Sequence, residues 1–299
     1  MVMKELLSNK AYFNWLLSFI MLIIISNPPK ACTVFNSDDG KNVLFGNVEN
    51  EAPHYITELH FKPPDESQGN YGNFYCYYNG NIAGGMNDKG LCFDVAALPS
   101  HIAITGKPYN DLMSYLLNKC STLHEALDFF QSFAWYGHSV NHIMIMDSTG
   151  ASAIVEVIGS TLYIFWKESY KRSQVMTNYS IADPEIRYGD YPCNRYLDAT
   201  SILDTMSLTL DNMQKVCYKV RYAYHNALYA NIYNPKSLEI HVLNANIIGQ
   251  RTTFSLLEEF NKGEHHYILR NNHIYLNTND ISARNSYISN NYPNPFSQV

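Results

Sequence analysis

Apolar and polar residues alternate through positions 32–47 on both sides of Ser37-Asp38-Asp39-Gly40, and the Asp-Gly step suits a tight turn, so the pattern predicts a β-hairpin. Aromatic and apolar runs at 71–78 and 91–97 predict two more strands, with Asn87-Asp88-Lys89-Gly90 supplying a turn before the second. Helical spacing follows at 111–119 and 122–130, and Thr122 with Glu125 forms a capping-box pair at the start of the second helix. Positions 141–157 read as another hairpin around Ser148-Thr149-Gly150, and strands are expected at 162–166 and 174–177. Helices at 196–205 and 210–225, then strands at 238–242 and 267–269, close the series. Strands, two helices, strands, two helices and strands again, with no sharp linker, predict an α+β fold in which sheets pack together under an outer cover of helices. The Asn-rich stretch after Tyr275 reads as a loose tail.

The amino-terminal pattern is different. Lys4 and Lys10 precede an apolar run at 15–25, after which Ser26, Asn27, Pro28, Pro29 and Lys30 restore polarity. The run is shorter than the ~20 residues that span a bilayer, and the prolines would stop its helix, so it reads as a signal peptide. The expected division is 1–26 signal peptide, 27–31 a short leader removed to expose Cys32, and 32–299 a single domain. That implies a secreted or lysosome-like protein with no stable membrane span after processing.

Composition narrows the partners. With 21 Lys+Arg against 27 Asp+Glu and a formal charge of -6, no broad attraction to nucleic acid or anionic lipid is expected. The 24 tyrosines and 14 phenylalanines suit twisted sheets. The six cysteines, Cys32, Cys76, Cys92, Cys120, Cys193 and Cys217, contain no CxxC pair, so neither a zinc ribbon nor a disulfide scaffold is indicated. Setting Cys32 aside leaves five, read as structural or buried thiols. His138 and His142 share a face only on a helix; in an extended segment their α-carbons stand about 13 Å apart, which argues against one shared metal ion. His265 and His266 would point to opposite faces of a strand, and no metal or cofactor is expected.

A cysteine exposed by removal of a leader offers a thiol and an α-amine on one residue, a nucleophile with its own base. Around Cys32 the residues Cys32-Thr33-Val34-Phe35, Leu44-Phe45-Gly46-Asn47-Val48-Glu49-Asn50, Gly84-Gly85-Met86-Asn87-Asp88-Lys89-Gly90-Leu91, Val175-Met176-Thr177-Asn178 and Cys193-Asn194-Arg195-Tyr196 occur in this order. Together they resemble the choloylglycine hydrolase and penicillin V acylase family of N-terminal-nucleophile hydrolases. The resemblance implies a four-layer αββα fold, autocatalytic exposure of the cysteine and cleavage of linear amide carbon-nitrogen bonds. It implies that Cys32 is the nucleophile, that Asn178 donates to the oxyanion, that the main-chain N–H at Ala97 is a second donor, and that the charge of Arg195 favours the thiolate. Asn50 stands where many relatives carry an aspartate against the α-amine, and Asn47 where bile-salt-cleaving members often carry arginine. Loss of the carboxylate at 50 should lower the amine pKa. Glu49 is adjacent, but successive strand residues face opposite sides, so it is not expected to substitute without a bulge.

Two side readings accompany these. Residues 84–91 read as a structural turn. Asn178-Tyr179-Ser180 is also an N-glycosylation sequon, a role that would need exposure and would exclude the oxyanion one. The expected function is a thiol amidohydrolase acting on a small N-acyl amide; the alternatives are a catalytically silent binding protein of the same fold and an acyltransferase in which an amine intercepts the thioester. A homo-oligomeric assembly stays open.

Overall fold

The computed structural model describes residues 32–50, 56–99, 109–132, 141–221, 227–243, 249–270 and 273–276. The segments read as signal peptide and leader, His138, and the Asn-rich stretch from 277 onward lie outside the described residues. Six strands form one antiparallel sheet in the order β10-β1-β2-β11-β12-β13, built from β1 Thr33–Asp38, β2 Val43–Glu49, β10 Ser173–Met176, β11 Tyr229–Asn234, β12 Glu239–Leu243 and β13 Arg251–Ser255. Nine strands form the other, ordered β15-β14-β3-β4-β5-β6-β7-β8-β9. They are β3 Thr57–Lys62, β4 Asn73–Tyr78, β5 Asn81–Asn87, β6 Cys92–Ala97, β7 Asn141–Met146, β8 Ser152–Ile158, β9 Thr161–Trp166, β14 His265–Arg270 and β15 His273–Leu276.

Both faces of the central strands are covered, which is why β1, β2 and β6 are buried at nearly every position, polar residues included. On β6, Cys92 and Ala96 face the layer between the sheets, while Phe93 and Val95 pack under α1 Tyr109–Lys119 and α2 Leu123–Ser132. On β2, Val43 and Phe45 face the inter-sheet layer, while Leu44 and Val48 pack under α3 Asn194–Thr205 and α4 Leu210–Val220. Helix pair, sheet, sheet, helix pair is the expected four-layer αββα arrangement. A short α5, Leu256–Phe260, follows β13.

Local chemistry matches several expectations. The Thr122 hydroxyl accepts from the Glu125 N–H at 3.2 Å and the Glu125 carboxylate accepts from the Thr122 N–H at 3.3 Å, completing the capping box. Asn87 donates to the carbonyls of Leu117 and Cys120 and accepts from the Leu91 N–H, so the 87–90 turn ties the end of α1 to the sheet. That is the structural role read for this segment.

Candidate active site

Register carries Cys32 to the centre of the site. In β1 against β10, Val34 pairs with Met176; in β1 against β2, Thr33 pairs with Val48. Continuing both registers to Cys32 brings Asn178 opposite it on one side and Glu49 on the other. Glu49 in turn pairs with Tyr229 of β11. Directly opposed residues in an antiparallel sheet share a face. One row therefore crosses the end of the sheet, and Cys32, Asn178 and Glu49 in it are all buried.

Side-chain contacts follow this row. The Cys32 thiol donates to Glu49 Oε1 at 2.8 Å, and the Tyr78 hydroxyl donates to the same oxygen at 3.0 Å. Glu49 thus reaches the sulfur without a bulge, contrary to the expectation drawn from alternation along β2 alone; cross-strand register, not sequence adjacency, decides which residue faces Cys32. Asn50 lies just beyond β2 and is buried.

Arg195 sits in the first turn of α3 and reaches across to β1. Its Nη1 donates to the Cys32 carbonyl and, at 2.8 Å, to the Thr33 hydroxyl; its Nη2 donates to Asn178 Oδ1 at 3.0 Å. A planar guanidinium with donors fixed in a fork can set two groups relative to each other in a way an ammonium cannot. Because Oδ1 of Asn178 accepts from Arg195, its Nδ2 is turned the other way, where it donates to the Ala97 carbonyl at 2.9 Å. Ala97 therefore meets Asn178 through its carbonyl. Asn178 is 1% exposed, so a glycan on the folded protein has no access to it.

A second buried group fixes the turn that carries Asn178. Glu156 Oε1 accepts from His142 Nδ1 at 3.0 Å and from the Ile181 N–H at 2.8 Å, and Oε2 accepts from the Ser180 hydroxyl at 2.7 Å and the Ala182 N–H at 3.1 Å. His142 Nε2 bonds the Thr177 carbonyl. Burial alone would raise the Glu156 pKa, but the bonds from His142, Ile181 and Ser180, together with the His142 charge, hold it below the usual carboxylate range. Residues 177–182 are thus clamped from both ends. His142 was considered in the sequence only as one of a histidine pair; the signal missed was its acidic partner on the neighbouring strand.

The remaining cysteines are of another kind. Among the described residues all six are unbridged. Burial raises the thiols of Cys76, Cys92 and Cys217 well above the ordinary value, and that of Cys120 to about 12, so they stay protonated and poorly nucleophilic. Asp94, fully buried, is also raised well above the usual carboxylate range, first by burial and then by the charge of Glu49. Among the described residues no group of three or more metal-ligating side chains converges.

A family model described as acyl-coenzyme A:6-aminopenicillanic acid acyl-transferase matches residues 61–259. The chain belongs to this family. Solved structures similar to this acyl-transferase family member include penicillin V acylase from Agrobacterium tumefaciens, 17% identical with a TM-score of 0.57, covering 80% of this chain and 90% of that one. Two variants of conjugated bile acid hydrolase from Clostridium perfringens also match with a TM-score of 0.57. One is 16% identical, covering 84% of this chain and 99% of its own; the other is 17% identical, covering 84% and 100%. The expected resemblance to choloylglycine hydrolase and penicillin V acylase holds, and the shared architecture is the N-terminal-nucleophile hydrolase sandwich. No curated protein matches the sequence.

Proposed function

We propose that the protein is a thiol amidohydrolase that cleaves small linear N-acyl amides through an acyl-thioester on Cys32. The reading rests most on one observation: a single guanidinium, that of Arg195, holds both the Cys32 carbonyl and the Asn178 amide. A sulfur nucleophile and a side-chain donor are thereby kept in a fixed relation, as attack on a carbonyl requires. The kinship with an acyl-transferase family, and a fold shared with proteins named acylase and hydrolase, support the same class of chemistry.

The geometry and the family resemblance together support a role for each residue. Removal of residues 27–31 frees the α-amine of Cys32, and the family resemblance assigns Asn50 to meet it. The sulfur attacks the amide carbonyl. An amide NH2 carries two N–H donors, and one of those on Asn178 is engaged by Ala97; the other meets the developing oxyanion, with the Ala97 main-chain N–H as second donor. One such donor contributes about 2.7–4 kcal/mol to the transition state. Arg195 keeps the Asn178 amide in this orientation. The signal-like segment at the amino terminus supports a secretory or lysosome-like compartment for the enzyme.

Acyl transfer is the second reading, favoured by the family's description. Purified protein should begin at Cys32 on amino-terminal sequencing, and should release amine from a panel of phenoxymethylpenicillin, N-acyl amino acids and conjugated bile acids. Hydrolysis yields free acid whatever amine is added; transfer yields a new amide in proportion to added 6-aminopenicillanic acid. No turnover with any of them, or turnover that survives Cys32→Ala, overturns the proposal.

A further inference from the structure

We propose that the gap between the outer edges of the two sheets is a second ligand site, apart from Cys32, for an uncharged, largely apolar molecule that carries one hydrogen-bonding group. β9 ends the nine-stranded sheet and β10 ends the six-stranded one, and residues of both line a single cleft. The edges do not pair; Gln174 bridges them instead. Its Nε2 donates to the Phe165 carbonyl at 2.9 Å, and its Oε1 accepts from the Ser152 hydroxyl at 3.0 Å. Tyr196, Thr200 and Asp204, successive at four-residue spacing on α3, give the cleft a helical wall. The space so enclosed is about 540 Å³, a size that holds a small molecule.

The chemistry of the walls selects the ligand. Ile154, Ile164 and Val175 line the cleft together with Phe165 and Trp166, and the Trp166 ring is left 54% exposed. The charged groups are already engaged. Lys171 pairs with Glu168 at 3.1 Å and Lys167 with Asp38 at 3.4 Å, so neither wall lysine is left to meet an anion, while Asp204 accepts from the Ser173 hydroxyl at 3.2 Å. An ionic ligand would therefore lose its hydration without gaining a counter-charge. The Thr200 hydroxyl is different: its oxygen is buried in the α3 wall and meets no hydrogen-bonding partner among the described residues. A buried hydroxyl left unmatched is unfavourable, and a donor or acceptor on the ligand satisfies it.

Cys32, Asn178 and Arg195 do not line this cleft, but Tyr179 and Tyr196, which follow Asn178 and Arg195 in the chain, do. Tyr179 meets Tyr196 edge-on with ring centres 5.7 Å apart and Tyr191 with ring centres 4.8 Å apart, which joins the cleft to the clamped 177–182 turn. A molecule held against these rings restrains the segment that carries Asn178 without approaching the sulfur.

The test is equilibrium binding of N-phenyl-1-naphthylamine, an uncharged fused-ring amine with one N–H, to the full mature protein, followed by the rise in its emission. One saturable site is expected. The sulfonated analogue, 8-anilino-1-naphthalenesulfonate, should bind at least tenfold more weakly. Thr200→Val, which keeps the shape and removes the hydroxyl, should weaken N-phenyl-1-naphthylamine at least threefold. Thr200→Trp, which fills the cleft from α3, should abolish saturation; if it fails to fold, the valine variant decides. Saturating N-phenyl-1-naphthylamine should also slow amide hydrogen exchange within 177–191 at least threefold, read by peptide mass spectrometry. No saturable binding, equal affinity in wild type and Thr200→Val, tighter binding of the sulfonate, or unchanged exchange at 177–191 overturns the proposal. None of these measurements needs turnover, so their failure leaves the reading of Cys32 as nucleophile untouched.

Discussion

Replacing Glu156 by glutamine probes the clamp beneath Asn178 with almost no change in shape. In the native protein two oxygens accept four donors, two on each. Glutamine keeps one oxygen and presents an NH2 where the other stood, so two of the four donors face another donor. Each buried group left unmatched costs about 1–3 kcal/mol, and His142, itself fully buried, loses the carboxylate that its Nδ1 meets at 3.0 Å. Breaking a buried pair in this way costs about 3–5 kcal/mol, a large share of the 5–15 kcal/mol that typically holds a domain together. Urea denaturation should show that loss as a lowered midpoint at unchanged slope. Proteolysis under native conditions should cut first within 177–183. If Glu156 ties down the oxyanion turn, the folded fraction should also lose kcat more than it gains KM. A stability change under 1 kcal/mol with native kcat would refute the clamp. The Glu156 pKa, held below its unfolded value, gives the pH sign: its contribution is full above the unfolded carboxylate pKa and is lost as pH falls through the lower folded value. Acid inactivation should therefore be less pronounced in Glu156→Gln than in wild type.

Three further outcomes follow from the same geometry. Asn178→Ala should lower kcat by about 10²–10³, the value of one oxyanion donor, with little change in thiol alkylation; equal loss of both would make Asn178 a packing residue. Asp94→Asn should stabilise the protein increasingly as pH rises above the unfolded carboxylate pKa, because burial holds the folded acid's pKa well above that value; parallel melting curves would contradict a raised Asp94. Gly84→Ala would place a Cβ 2.1 Å from Asp94 Oδ2 and should cost about 1–3 kcal/mol by overpacking, measurable by thermal melting.

Much of the architecture was readable because it depends on local chemistry. The Thr122–Glu125 cap, the 87–90 turn and the helix pairs are set by residues close in sequence. β5 was hidden by Gly84 and Gly85, which are poor strand formers but are required where the Asp94 side chain approaches Gly84 and the Phe74 carbonyl approaches Gly85. β3 escaped although Thr57, Leu59 and Phe61 alternate inward, because Glu58, His60 and Lys62 between them gave the segment a loop-like polarity. The second helix of the later pair ends at Val220, not at 225, and residues 222–226 lie outside the described residues.

The site was half legible for a more specific reason. Cys32, Asn178 and Arg195 stand out in short motifs, but the role of Glu49 depends on where the first hairpin turns. Reading the turn at 37–40 pairs Cys32 with Phe45; the actual pairing of Asp38 with Val43 places the loop at 39–42 and shifts the partner by four residues to Glu49. Two residues of turn placement separate an aromatic neighbour from a carboxylate on the sulfur.

The central claim, that Cys32 carries the acyl group, is tested most directly by quenching a reaction with phenoxymethylpenicillin in acid within the first turnovers and locating the adduct by tandem mass spectrometry. A mass increase equal to one phenoxyacetyl group, confined to an amino-terminal Cys32 peptide and reversed by hydroxylamine, is the expected result. Turnover of the same amide with Cys32 unmodified at every time point would contradict it.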